Sequence, residues 1–364
     1  MIALIAPLLF AANCASLTCK SLVSPPSLRR AATVRQAPDP AVVLAFAGPT
    51  IPVADVPSSL RWYEQRFKMY ADSQWRAFGP KWDAGNSISG YERAAIYYVW
   101  WARTGDATYL DRAHATAVNY RQWLESGGYA ASPHWSQMES LYLDWLVMGD
   151  TKSRDAVIEV ANRIGMAFPP SGYFALSQGE ARIQARVIIS LWLAEKIEGK
   201  RRPMLDTAIK RALASMNADG YGPFQSTCGG SLNYMQGMLA DALSRIYDHR
   251  PGPYNDEIRA KLTAFGNYAW STQWRGTANP RDKSFNYVSL ECNGTGSPSP
   301  APDLNGLMLP LFGWLGKTTG DKTWFDRGDQ VFDGMRDASV YLYRQFSESY
   351  SSSYRYLGYR YGTK

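Results

Sequence analysis

Histidine and cysteine are both scarce in this 364-residue chain, with three of the first and four of the second. Cys14 and Cys19 stand close together near the start, while Cys228 and Cys292 stand alone, so no zinc-site spacing is present. Cys228 and Cys292 fit either the disulfide of an exported protein or two buried thiols. No apolar run approaches the roughly 18 to 20 residues that cross a bilayer. A nucleotide-binding glycine loop, HExxH and GxSxG are missing as well. Basic residues cluster only briefly, at Arg29-Arg30 and Lys200-Arg201-Arg202, which speaks against a nucleic-acid binder. What remains requires neither a metal nor a cofactor.

Aromatic residues are what the chain has in quantity: 13 Trp, 23 Tyr and 13 Phe, within a composition that is 46% hydrophobic and 20% charged. That excludes a disordered polymer, a collagen-like fibre and a coiled coil, and the length allows one large core. The net charge of +7, from 39 Lys+Arg against 32 Asp+Glu, suits an anionic partner. Met1 to Ala12 is apolar and rich in small residues, like the hydrophobic part of a secretory signal without its basic start, and Leu9 to Cys14 weakly resembles a lipoprotein box. Residues 1–19 are therefore expected to direct export, to a secreted or periplasmic and even lipid-anchored location. Residues 20–57, with Pro25, Pro26, Pro38, Pro40, Pro49, Pro52 and Pro57, read as a linker.

From Ser58 onward helical stretches alternate with two kinds of connector. Thr104-Gly105-Asp106, Met148-Gly149-Asp150 and Thr319-Gly320-Asp321 are short and alike: glycine ends one helix in the left-handed conformation and aspartate caps the next. With looser versions at Gly199 and Gly252, the glycines recur at intervals of 44, 50, 53 and 68 residues, a period typical of stacked helical pairs. The other connectors are long and rich in Gly, aromatic and polar residues: 79–89, 127–136, 165–177, 217–230 and 275–303. Three end in Ser89-x-x-Glu92, Ser136-x-x-Glu139 and Ser177-x-x-Glu180, which match capping boxes, and Asp303 can cap the next helix.

Each long connector leads into a helix apolar nearly all round, at about 91–103, 136–148, 180–197, 231–247 and 304–316. Amphipathic helices at about 58–78, 106–126, 151–166, 203–216, 253–274 and 321–346 must cover them. Their closure is an all-α (α/α) toroid of about six hairpins over 58–346, followed by a Tyr/Ser-rich tail, 347–364. The topology puts all long loops on one face, above the axis, where a ring offers concavity. These turns, Trp/Tyr-rich inner helices and aromatic loops resemble the α/α-toroid carbohydrate-active enzymes, the six-hairpin glycoside hydrolases and polysaccharide lyases. The resemblance implies a groove that binds and cleaves a polysaccharide; separately, the chain is expected to act as a monomer.

On the long-loop face, Trp82, Trp135, Tyr173, Tyr221 and Tyr287 are proposed sugar platforms, while Asp83, Gln178, Gln225, Asn286 and Glu291 offer polar contacts. A lyase acting on a uronate chain needs the substrate carboxylate neutralised, for which Arg182, Asn86 and Asn233 are candidates. It also needs an acid and a base: His134 is the one histidine on this face, and Tyr234 opens an inner helix toward the axis. β-Elimination on an acidic polysaccharide is thus the leading expectation. Hydrolysis by two carboxyls, Asp83 with Glu291 or one of the capping-box glutamates, is the alternative. A non-catalytic carbohydrate-binding toroid is the second.

Overall fold

The computed structural model describes residues 37–82, 91–167, 181–222, 232–279, 282–289, 299–336, 338 and 343–362. The chain divides into a segment ending at Ala37 and a unit from Pro38 to Lys364, and it is the second whose architecture follows. The segment 1–19, all four cysteines and the Ser89 and Ser177-x-x-Glu180 parts of the capping patterns lie outside the described residues. Among the described residues no strand forms, only isolated bridges such as Leu232 to Val288.

Among the described residues, twelve helices alternate around a ring. The outer ones are α2 (Arg61–Phe78), α4 (Ala107–Ser126), α6 (Thr151–Ala167), α8 (Pro203–Ser215), α10 (Asn255–Tyr268) and α12 (Thr323–Arg336). The inner ones are α3 (Arg93–Thr104), α5 (Met138–Met148), α7 (Ala181–Glu198), α9 (Asn233–His249), α11 (Asn305–Thr319) and α13 (Arg344–Tyr350). Each inner helix packs on the next, and α13 packs on α3 to close the circle. Burial follows the sequence pattern. Outer α2 hides a single stripe, Tyr63, Phe67, Ala71 and Gln74, whereas inner α11 is buried continuously from Asn305 to Gly316. The short turns form as expected: Gly105, Gly149 and Gly320 sit at φ 75, 67 and 72°, and the following Asp106, Asp150 and Asp321 carboxylates accept from Thr108, Lys152 and Thr323 backbone N–H groups.

Three expectations are corrected. The stretch read as linker is folded from Pro40: Asp39 caps α1 (Pro40–Ala47), whose Val43, Phe46 and Ala47 are buried. Its proline is tolerated because it sits in the first turn, where its missing N–H has no partner to lose. The covering segment 321–346 is two helices, with α12 outside and α13 the sixth inner member. The expected tail holds α14 (Tyr354–Tyr361), whose Tyr356 and Leu357 are fully buried. α1 and α14 together plug the short-turn end of the axis. The Phe46 ring lies 4.9 Å from Tyr142 and 6.1 Å from Trp192, and Arg355 donates from Nε to the Ala47 carbonyl at 2.6 Å.

Candidate active site at the mouth of the ring

With one end of the axis plugged, the long loops and the inner-helix N-termini define an open end. α13 brings its polar face there. Glu348 is 2% exposed and ion-pairs through Oε1 with Arg344 Nε at 2.8 Å, and the Tyr91 side chain hydrogen-bonds to its carboxyl. Burial, with Asp303 adding to it and Arg344 opposing, pushes its carboxyl up to about 7. Tyr91, Arg182 and Arg344 surround it. The close approach of α11 fixes α13 in place. A β-carbon at Gly306 would stand 2.9 Å from the Glu348 carbonyl oxygen and 2.7 Å from that of Ser349, so only glycine fits.

Opposite, on α9 and the fifth loop, Tyr234 and Tyr287 stack at 5.7 Å between centroids, and Tyr287 is 38% exposed. Burial, then the neighbouring Tyr91 and Tyr287, drive the Tyr234 hydroxyl well above the ordinary tyrosine range. Burial and Glu348 push Tyr91 up to about 12. From α7, Arg182 donates to His134 Nδ1 at 3.0 Å and lies 5.5 Å over the Trp135 ring. A guanidinium only donates, so Nδ1 of His134 is the acceptor and carries no proton. The mouth thus collects His134, Trp135, Arg182, Tyr234 and Tyr287 from the expected set, and adds Tyr91, Arg344, Glu348 and Asp303.

Below Tyr91 a cavity of about 60 Å³ runs along the axis, lined among others by Glu92, Glu139, Arg186, Asp241 and Arg355. The capping-box reading of these glutamates is corrected here. Glu92 adopts the left-handed conformation at φ 36° and caps nothing in its own helix. Its carboxylate instead accepts from the Ser140 N–H at 2.9 Å, the Ser140 hydroxyl at 2.8 Å and the Glu139 N–H at 3.3 Å, capping the neighbouring α5. Glu139 lies 2.8 Å from Arg245 and 3.5 Å from Arg355, and Arg355 also pairs with Asp241 at 2.6 Å. Burial pushes both carboxyls up, helped at Glu92 by Glu139, which brings Glu92 to about 7. At Glu139 the two arginines outweigh burial and hold it below the carboxylate range. Asp303 likewise does not cap α11 but faces Arg344 and Gln345 of α13.

Four expected contacts are placed elsewhere by packing. Trp82 is 8% exposed against Trp123 and Tyr120 of α4, at 3.9 and 4.9 Å. Tyr221 is 1% exposed against Tyr268 at 4.8 Å. Neither ring has a face open to a sugar. Asn233 donates to the Asn286 carbonyl at 2.6 Å and to Gln273 Oε1 at 3.4 Å, and its Oδ1 accepts from the Tyr221 hydroxyl at 3.3 Å. Asn286 bonds Gln273 and Arg275. These amides lock the fifth loop onto α9, so Asn233 has no free donor for a substrate carboxylate. Asp83, Asn86, Tyr173, Gln178, Gln225 and Glu291 lie outside the described residues. Sequence reasoning missed Arg344 and Glu348, although one signal was available: every covering helix is followed by a loop and an inner helix, so 321–336 demanded one.

The alternation of outer and inner helices, closed α3 to α13 with one end open, is the (α/α)6 toroid. No protein-family model and no curated protein sequence matches the chain. Among solved structures, the chain is similar to a glycosyl hydrolase family 88 protein from Bacteroides vulgatus, at 12% identity over 84% of this chain and 99% of that one, with a TM-score of 0.59. A UGL variant with dGlcA-Glc-Rha-Glc matches at 11% identity over 82% and 95%, with a TM-score of 0.58. The unsaturated glucuronyl hydrolase of Bacillus sp. GL1, responsible for the degradation of glycosaminoglycan, matches at 12% identity over 78% and 92%, with a TM-score of 0.55. At these identities the likeness establishes the fold, which is that of the α/α-toroid carbohydrate-active enzymes.

Proposed function

We propose that the chain is a glycoside hydrolase that removes a uronate-type sugar from a short acidic oligosaccharide, of the kind named for its structural neighbours. The observation that carries this reading is Glu348: a carboxyl buried at the mouth beside Tyr91, Arg182 and Arg344 that holds its proton up to about pH 7. Such a group can protonate a glycosidic oxygen as the bond from that oxygen to the sugar carbon breaks. Water then adds at the carbon, and its proton passes to a second carboxylate, for which Glu92 is the candidate. Arg182 and Arg344 flank Glu348 and suit the substrate carboxylate, and the Tyr234–Tyr287 pair suits a sugar face.

β-Elimination has less support. His134 uses its Nδ1 lone pair on Arg182, and Tyr234 is pushed toward permanent protonation, so neither offers a ready base. The experiment is to incubate the protein with uronate-bearing and neutral oligosaccharides while following new reducing ends and unsaturated-uronate absorbance together. Hydrolysis gives reducing ends without new unsaturation. New unsaturation in step with reducing ends would restore the lyase, and silence on every substrate would favour a carbohydrate-binding toroid.

A further inference from the structure

Three large hydrophobic side chains are exposed among the described residues: Met69, Tyr287 and Tyr343. Met69 belongs to outer helix α2, but both tyrosines stand at the mouth. Tyr287 pairs with Tyr234 beside α9. Tyr343, 47% exposed, immediately precedes Arg344, and its ring lies 5.4 Å from Phe78 at the end of α2. α13 sits in the ring between α11 and α3 and packs on α2, so the two aromatic pairs flank the Arg344–Glu348 ion pair from different sectors. Tyr343 also holds φ 57° and ψ −131°, a conformation unfavourable to a side chain with a β-carbon, where glycine would be relaxed. An exposed ring kept in a strained backbone does not serve the core.

We propose that Tyr343, backed by Phe78, is the stacking platform for the sugar on the leaving-group side of the scissile bond. Tyr287 and Tyr234 hold the uronate whose bond is cut. This rests on the hydrolase reading, and it makes the substrate at least a disaccharide with an apolar sugar face beyond the cleavage point. Stacking on a ring is tolerant of hydroxyl pattern, so this subsite sets chain length more than sugar identity.

The test compares a trisaccharide ending in a uronate with the methyl glycoside of the same uronate. Tyr343→Gly removes the ring and relaxes the backbone, so the variant is expected to fold with an unchanged or higher Tm. It should raise KM for the trisaccharide about five- to tenfold and leave the methyl glycoside within about twofold, with Tyr343→Trp restoring the wild-type value. Equal effects on both substrates, or none on either, would overturn the platform. If the wild type cleaves neither compound, the hydrolase reading fails by itself. Calorimetric binding of the same two compounds then decides the platform: it stands if Tyr343→Gly weakens only the trisaccharide and falls if the two change alike.

Discussion

The two ends of the ring axis are built from the same residue types and treat charge differently. Toward the plugged end, Glu139 and Asp241 face Arg245 and Arg355, the last of these on α14. Glu139 is held ionised there, with the usual sign for a paired carboxylate. At the mouth, Glu348 is buried more deeply and pairs with Arg344, but burial outweighs that pairing and its proton is retained to about pH 7. Matched buried charges hold a fold together; an under-compensated one stores reactivity. Glu92 lies between them, capping α5 while titrating like the mouth.

Breaking the two ends separately should give opposite phenotypes. Glu348→Gln is expected to lower kcat by about 10² to 10⁴ with no loss of Tm, measured by steady-state kinetics and thermal melting. Glu139→Ala leaves two buried guanidiniums short of a partner and should cost about 3–5 kcal/mol in denaturant unfolding. Phe46→Ala removes the ring that plugs the axis between Tyr142 and Trp192, at about 3 kcal/mol, and should leave KM unchanged. The last comparison is in pH dependence, where the effect is a slope and not a single step. Glu348 and Glu92 have folded values raised from 4.5 to about 7, so the folded state binds the extra protons. Their stabilising contribution is complete below pH 4.5 and disappears as pH rises through 7. Wild-type stability should therefore fall across that window by at most about 1.4 kcal/mol per group and pH unit, and Glu348→Gln should flatten the slope.

Much of the scaffold is local and could be read from sequence. A Gly-Asp turn needs only its own dihedrals and cap, and an all-apolar helix can only be buried, so five inner helices and their order follow from periodicity. α13 escaped because RQFSESY fails the apolar test: only Phe346 and Tyr350 enter the aromatic core, and the positions around them are polar. The glutamates at 92 and 139 match a capping pattern that is genuinely compatible with their spacing. Arg245 and Arg355, distant in sequence, outcompete it for Glu139, and for Glu92 the N-terminus of the adjoining helix does so. Trp82 and Tyr221 show the converse error: a long loop's aromatic serves the outer helices as readily as a ligand. The placement of His134, Arg182, Tyr234 and Tyr287 at the mouth was legible because the topology alone sends the long connectors to one rim.

The most direct test of the mouth as the chemical centre is the pH dependence of kcat/KM on a uronate-terminated oligosaccharide, for the wild type and Glu348→Gln side by side. The account predicts a wild-type rate that drops above about pH 7, as the Glu348 proton leaves, and a residual rate in Glu348→Gln without that descending limb. A Glu348→Gln enzyme as fast as the wild type, with the same limb, would contradict it.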